Sequence, residues 1–328
     1  MKKHDKFRDD EPLRRGEKDL LWVKINHTLG KRKRLIWIRW ASAAAAVLII
    51  GGGVFFLLTF KGKSDRTANI FQVARISGKL LQGNKEISIL EYGQSVRKVS
   101  NSLYFGQDNQ SSNGYKTLFV PYGRRQDVIL ADGTKIWLNS GSYLTFPSNF
   151  SGKDREVYLN GEAFFDVAHN IKPFKVLTRE NTIRVLGTSF NVSSYEDDAK
   201  MVTGLISGSI SLENNNQLFH PLHLKPGEEL SVEFGDHTPK LTKSLTMDGI
   251  LWTKRQLALN RTPMPELIKK LERIYNVSIH FSSGTDQATT SYLGRIDLNM
   301  PVDEVLKNIY ELEGYHIELK NKEVMINK

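Results

Sequence analysis

The amino-acid sequence predicts three parts of different class: a single transmembrane helix, an all-β domain (solenoid-like or sandwich), and a small α+β domain with a β-α-β-β-α-β repeat. Three observations carry that prediction. Residues 41–60 form an uncharged apolar run. Residues from about 117 to 235 are a succession of short β-rich stretches broken by Gly, Asn, Asp and Pro. Residues 263–281 and 301–319 repeat one another at an offset of 38.

The chain has 328 residues, room for two or three domains at roughly 100–200 residues each. Hydrophobic residues make up 40% and charged residues 25%, an ordinary balance for folded protein. There is no cysteine, which excludes a disulfide framework, a thiol nucleophile and any Cys-ligated metal centre. The net charge of +10 is concentrated at one end: residues 1–40 hold 13 Lys/Arg against 6 Asp/Glu, and the remaining 288 residues hold 33 against 30. A nucleic-acid-binding surface spreads its charge over a folded face with aromatics interleaved. Here the strongest cluster, "KRKR" at 31–34, adjoins the apolar run, so no direct nucleic-acid contact is expected.

The run itself is "ASAAAAVLIIGGGVFFLLTF". Twenty helical residues at about 1.5 Å each reach about 30 Å, the thickness of a bilayer's hydrocarbon core. A cleaved signal peptide fits poorly, because forty residues precede the run and no small-residue cleavage pattern follows it. Trp37 and Trp40 stand where amphipathic rings favour the interface. Lys31, Arg32, Lys33 and Arg34 are the topology determinants and place the N-terminus in the cytoplasm; a nuclear-import signal is the competing reading of the same four residues. Gly51–Gly53 are either a close-approach or soft point or tolerated spacers. The expected layout is a cytoplasmic stub at 1–34, the span at 35–60, a spacer with possible strands at 61–117, a β domain at 118–250 and the α+β module at 251–328.

In the stub, residues 1–19 are too charged to bury a core and read as disordered until bound. Residues 17–34 differ: Leu21, Ile25 and Leu29 recur at helical spacing with Trp22 beside them, ending near Gly30. Periodicity alone weighs two readings evenly, a membrane-lying extension of the span and a helix that folds on a cytoplasmic partner. Beyond the span, "ARISGKLLQGNKEISILEYGQS" has room for two strands, and the Ser/Asn/Gln/Gly-rich 98–116 reads as spacer.

The β region opens with "RQDVILADGTKIWLNSGSYLTF", two β-rich runs about an Asp132-Gly133 turn. No stretch of about ten residues in it has a helical period, and periodicity does not separate sandwich from solenoid. Within it, "GEAFFDVAHN" carries Glu162, Asp166 and His169 at helical spacing, an apparent acid–base or metal constellation. Phe164, Phe165 and Val167 are strand formers, however, and on a strand His169 turns away from the two carboxylates. The α+β module pairs Pro263/Pro301, Glu266/Glu304, Lys269/Lys307 and Ile279/Ile317. Proline opens each helix, Leu267, Leu271 and Ile274 form one apolar stripe, Val305, Ile309 and Leu312 the other, and Asn276 and Gly314 stop them. "VSIHF", "YHIEL" and "EVMIN" read as strands beneath two helices.

Other chemistry is thin. His220 and His223 have H-x-x-H spacing with Pro221 between them, a loop pattern, and Asp197-Asp198 reads as a surface turn. No P-loop, G-x-S-x-G elbow or H-E-x-x-H occurs. No catalytic residue, metal site or cofactor is expected.

"LADGTKIWLNSGSYLTFPSNF", "REVYLNGEAFFDVA…KPFKV", "IRVLGTSFNVSSY" and "LKPGEEL", in that order, resemble the periplasmic domain of the FecR family of membrane-anchored anti-sigma factors. The resemblance covers about residues 118–326 and is closest to the Bacteroidota branch with an added C-terminal domain. That domain is similar to the short N-terminal modules of secretins and TonB-dependent receptors, which can pair through an exposed strand edge. One departure is "LWTKRQLALNRTP" (251–263), where many relatives have a Gly and a Phe in place of Lys254–Leu257. The resemblance implies a non-enzymatic inner-membrane regulator whose outer domains are periplasmic. Its partners would be an extracytoplasmic-function sigma factor in the cytoplasm, the signalling domain of a TonB-dependent outer-membrane receptor in the periplasm, envelope proteases, and membrane lipid. Leu21, Trp22, Ile25 and Leu29 are then the candidate sigma-factor contacts. The alternative is a membrane-anchored envelope glycan-binding module or hydrolase using Glu162 and Asp166.

Overall fold

The structure, a computed structural model, describes residues 70–81, 85–91, 97–98, 103–105, 114–235, 237–243, 248–282, 290–310 and 314–327. The apolar run at 41–60 lies outside them, and among the described residues no helix is long and apolar enough to cross a membrane. Residues 67–328 form one compact unit.

Among the described residues the β region is a single hydrogen-bonded network of sixteen strands folded into two faces. One face runs, in spatial order, β2 (Arg97–Lys98), β1 (Ser88–Glu91), β4 (Tyr115–Val120), β7 (Ser142–Pro147), the first half of β8 (Arg155–Asp166), β9 (Phe174–Leu177), β10 (Asn181–Val185), β13 (Ile210–Asn214) and β14 (Leu222–Leu224). The other runs β3 (Leu103–Tyr104), β5 (Gln126–Ile129), β6 (Lys135–Leu138), the second half of β8, β11 (Ser189–Ser194), β12 (Lys200–Ser207), β15 (Glu228–Glu233) and β16 (Pro239–Lys243). Alternate residues of both faces point into one core, which holds Leu118, Leu144, Val157 and Val176 from the first face and Ile136, Phe165, Phe190 and Leu230 from the second. The sheet is a half-barrel whose two faces close on that core in the manner of a sandwich. The pairings are antiparallel except β8 with β9 and β3 with β5, where a solenoid would stack parallel strands.

β8 belongs to both faces. Its residues 158–160 pair with β7, and residues 161–166 pair with β11. Gly161 sits at the change-over with φ +118°, a conformation that side-chain-bearing L residues rarely adopt. A Cβ there would lie 2.3 Å from the Ser142 hydroxyl and 2.6 Å from Ser142 Cα. The same hydroxyl accepts a hydrogen bond from the Glu162 amide (2.9 Å) and donates to the Glu162 carbonyl (3.1 Å), so the corner leaves no backbone group unpaired at Glu162.

From the second face the chain must cross back to lay β9 parallel to the start of β8, and Arg155 holds that crossing. Its guanidinium is fully buried over the Phe174 ring. It donates to the carbonyls of Lys172 (3.0 Å), Ala168 (2.9 Å) and Leu186 (3.1 Å) and to the Asp132 carboxylate (2.6 Å). Asp132 in turn accepts from the Thr134 amide and hydroxyl. The expected Asp132-Gly133 turn is therefore present, between β5 and β6, and doubles as the counter-ion of a buried arginine.

One expectation is corrected. Of the two strands expected in residues 74–95, the described residues there hold one: residues 70–81 are helical (α1), and β1 follows. Ile70, Val73, Ala74, Ser77 and Leu81 make the buried stripe, packed on the outer surface of the first face beside Tyr158 and Leu177. Gly78 admits the Tyr143 ring, whose nearest atom would be 3.1 Å from a Cβ. Part of the expected spacer at 98–116 is also ordered, as β3 and the start of β4.

After a 3₁₀ segment (Asp248–Lys254), the C-terminal module runs β17 (Gln256–Pro263), α2 (Met264–Tyr275), β18 (Ser278–Phe281), β19 (Ser291–Asp297), α3 (Val302–Tyr310), β20 (His316–Lys320) and β21 (Glu323–Asn327). The repeat is present with one further strand, and the strands form two sheets, β17-β19 and β18-β21-β20, instead of one. Asn276 caps α2 in the left-handed conformation, and Gly314 has φ +81°. Leu267 and Leu271 are buried as expected. On α3 the buried face is Val302, Val305, Leu306 and Tyr310, with Ile309 at its edge; Leu312 lies outside the described residues. Tyr310 is the hub, with Phe281, Tyr292 and Tyr315 edge-on at 5.7, 5.9 and 6.0 Å. The departure at Lys254–Leu257 disturbs no core: residues 254–256 are exposed and Leu257 packs at the module's edge.

Gly161→Ala is expected to lower stability by about 2–5 kcal/mol, combining a disfavoured φ with a backbone clash. Thermal unfolding of the full chain by near-UV circular dichroism measures it; an unchanged midpoint would show that the corner can move without cost.

Candidate functional site

The sequence candidates for partner contact, Leu21, Trp22, Ile25 and Leu29, and the topology residues Lys31, Arg32, Lys33 and Arg34, all lie outside the described residues. His220 is exposed in a loop and His223 is exposed on β14. Among the described residues no group of His, Asp or Glu is placed to hold a metal.

The helical triad does not form. Glu162 and Asp166 lie on the single strand β8, four residues and about 13 Å apart at ~3.3 Å per residue. That exceeds the carboxylate separations that cleave glycosides. Asp166 is exposed and accepts from the Ser189 hydroxyl (2.9 Å), and His169 lies in the exposed stretch after the strand. Glu162 has a different environment. Its carboxylate accepts from Asn139 (2.7 Å) and Asn191 (3.0 Å) and faces the C-terminal module.

The seam between sandwich and module carries a dense polar network among the described residues. Arg273 projects from the last turn of α2 with its side chain only 4% exposed. It grips the turn between β11 and β12: Nη2 donates to Asp198 Oδ1 (2.6 Å) and Asp197 Oδ1 (2.7 Å), and Nη1 donates to Asp198 Oδ2 (3.2 Å). The guanidinium lies 3.9 Å over the Tyr195 ring. Tyr195 is fixed in turn by donating to the Ser140 carbonyl (2.8 Å). Burial, with the Glu162 charge second, holds its phenol above the usual range, so the hydroxyl stays a donor. Burial alone would lower the Arg273 pKa, but Asp198 and Asp197 outweigh it and the guanidinium is held charged.

Further contacts surround this fork. Lys269 donates to the Asp197 carbonyl, and Lys200 of β12 meets Glu266 of α2 at 3.3 Å. Burial acts to raise the Glu266 pKa, yet Lys270 and Lys200 leave it lowered. The Gly123 amide donates to the Arg273 carbonyl (2.8 Å), and its missing side chain admits Asn276. Trp252, buried in the 3₁₀ segment, donates from its indole to Asn191 (3.2 Å), while the Arg125 guanidinium lies 6.0 Å from its ring centroid and donates to its carbonyl.

The Asp197-Asp198 pair is thus a turn, as expected, but one with a partner. Sequence reasoning missed that partner because Arg273 sits between Leu271 and Ile274 on a helix whose polar positions read as solvent-facing. A basic residue at the end of an amphipathic helix, adjoining its apolar stripe, was the only available signal.

Two family models match the chain: "FecR protein" over residues 116–211 and "FecR, C-terminal" over residues 256–326. No curated protein matches. Two crystal structures of a protein from Parabacteroides distasonis, described as a "putative anti-sigma factor", are similar to this chain at 28% sequence identity. Their TM-scores are 0.60 and 0.61; each likeness covers 65% of this chain, and 98% and 99% of the respective solved chain.

Arg273→Ala is expected to cost about 2–4 kcal/mol, because it strands the mostly buried Asp198; Asp197, 59% exposed, adds little. Arg273→Lys should recover only a small part, since an ammonium neither forks nor stacks equivalently. An unfolding transition of the module preceding that of the sandwich, in calorimetry, is the expected sign.

Burial raises the Glu162 pKa against the opposing pull of Asn139, Asn191, Lys270 and Arg273. The folded state therefore holds that proton more tightly than the unfolded chain. The stability this brings is complete below the ordinary glutamate range near ~4.3 and is lost as pH rises through the folded pKa. Relative to wild type, Glu162→Gln should gain stability as pH rises above the ordinary glutamate range, and the gain should level off once the folded carboxyl has ionised. Urea unfolding of both proteins from about pH 4 toward 7 tests it; a flat difference would show that the carboxylate bears no desolvation cost.

Proposed function

The chain belongs to the FecR family of anti-sigma factors, and from that premise we propose that it is a single-pass inner-membrane regulator joining an outer-membrane TonB-dependent receptor to an extracytoplasmic-function sigma factor. The family is a regulatory, non-enzymatic class, and a sigma factor is its partner in general. In this reading residues 1–34 bind the sigma factor through Leu21, Trp22, Ile25 and Leu29. Residues 35–60 span the membrane, oriented by Lys31, Arg32, Lys33 and Arg34. Residues 118–250 and 251–328 are the periplasmic sensor, engaged by the signalling domain of the receptor. Envelope proteases, cutting near or within the span, release the stub.

The observation that supports this best is the joint match of both outer segments, in order, behind one uncharged twenty-residue run. The seam supports it in a second way. A receptor domain that docks on the module by adding a strand to an open edge of β18 or β20 meets a body already bolted to the sandwich by Arg273. The two act on whatever lies upstream as one unit.

Exchanging Trp22 and Ile25 together for Asp in the full chain should reduce co-purifying sigma factor at least tenfold, since buried aromatic and aliphatic anchors carry most of such an interface, and ~1.4 kcal/mol is already tenfold. Recovery of the sigma factor at wild-type yield would sink the assignment of those residues, and failure to recover any sigma factor with the wild-type chain would sink the function.

A further inference from the structure

We propose that α1 is a membrane-surface helix, whose outward side lies on an anionic phospholipid surface while its inward side carries the sandwich. The proposal rests on the single-span reading above.

Three observations on α1 point the same way. First, the helix is apolar on two sides. Its inward stripe is satisfied by Tyr158 and Leu177, yet Ile76 and Leu80, one turn apart, remain 53% and 68% exposed. Adjacent exposed aliphatics at i and i+4 form a patch, where scattered single ones would need no explanation. Second, the patch is flanked by Arg75 and Lys79, both exposed, which lie on the same side at the same one-turn spacing. Aliphatic stems with cationic heads beside them are what a headgroup region selects: the apolar part enters the acyl boundary and the charges meet phosphate. Third, the connection is short. Only residues 61–69 separate the predicted span from the first described residue of α1. Nine residues, even fully extended, reach about 30 Å. They carry Lys61, Lys63 and Arg66 against Asp65 alone, so the whole approach from the span to α1 is cationic.

A lipid surface fits this combination better than a second copy of the chain does. Two copies meeting at the patch would bring Arg75 and Lys79 of each against their own kind. Anionic headgroups neutralise those charges. Gly78 then has a reason: it brings the helix against Tyr143, so that the outer surface of the first face, and not an intervening side chain, backs the helix.

The chain has no cysteine, so single cysteines report cleanly. The full chain would carry an environment-sensitive NBD fluorophore on Ile76→Cys, Leu80→Cys, Ala45→Cys within the predicted span, or Ile171→Cys, a 95% exposed site on the sandwich. Each is reconstituted into vesicles of phosphatidylethanolamine and phosphatidylglycerol with brominated acyl chains. Positions 76 and 80 should be quenched at least about twofold more than position 171, and Arg75→Glu with Lys79→Glu should remove most of that difference. Quenching at 45 with none at 76 and 80 overturns the inference and leaves the single-span reading intact. No quenching at 45 overturns both. Disulfide-linked dimers from unlabelled Ile76→Cys, formed in preference to lipid quenching, assign the patch to a second copy and likewise overturn it.

Discussion

The structure depends on one shared strand. β8 enters the first face, turns at Gly161, and leaves in the second, so the two faces are covalently and hydrogen-bond continuous and are not merely stacked. Two requirements meet at that residue: a positive φ, and backbone approach to Ser142 too close for any side chain. Everything downstream inherits its geometry. The corner fixes where Glu162 emerges, on the outer side of the second face. It also fixes that β9 must cross the open end of the sandwich to pair in parallel, and the crossing is what Arg155 is buried to hold.

The two buried arginines solve different problems by the same means. Arg155 ties a crossing within one domain, taking three carbonyls and one carboxylate; Arg273 ties one domain to another, taking two carboxylates and a ring. In each case a planar, permanently charged group with several donors fixes orientation as well as distance. A hydrophobic seam of the same area would have bound the module without choosing its angle. The fork on Asp198 and the stack on Tyr195 constrain the guanidinium in plane and in height, so α2 has a single seat on the β11–β12 turn.

The strand-rich middle, the Asp132-Gly133 turn, the duplicated helices, the stop of the first at Asn276 and the left-handed glycine at 314 were legible in the sequence, because each follows from local pattern or local φ. α1 was not, although Ile70, Val73, Ala74, Ser77 and Leu81 keep helical spacing. Gly78 and the β-branched residues dilute its propensity, and the second apolar pair, Ile76 and Leu80, blurs the stripe. Sheet membership was illegible in principle: no local signal says that β8 changes partners halfway. The seam was illegible for the same reason, since Asp198 and Arg273 are 75 residues apart and each alone reads as ordinary surface charge.

Glu162 shows how the corner and the seam act together. An ionised carboxylate enclosed by protein is costly, and burial does raise its pKa. The cost is limited by two asparagine amides, one from the end of β6 and one from β11, and by the positive charges of Lys270 and Arg273 on the docked module. Asn191 in turn accepts the indole proton of Trp252, the residue through which the chain enters the module. A displacement of α2 would leave Asp198 without its arginine, while water reaching Glu162 would relieve the desolvation that raises its pKa. The docked position of α2 is thus held by the fork on Asp198 against the desolvation of Glu162, so the two half-buried carboxylates act on one helix position in opposite directions.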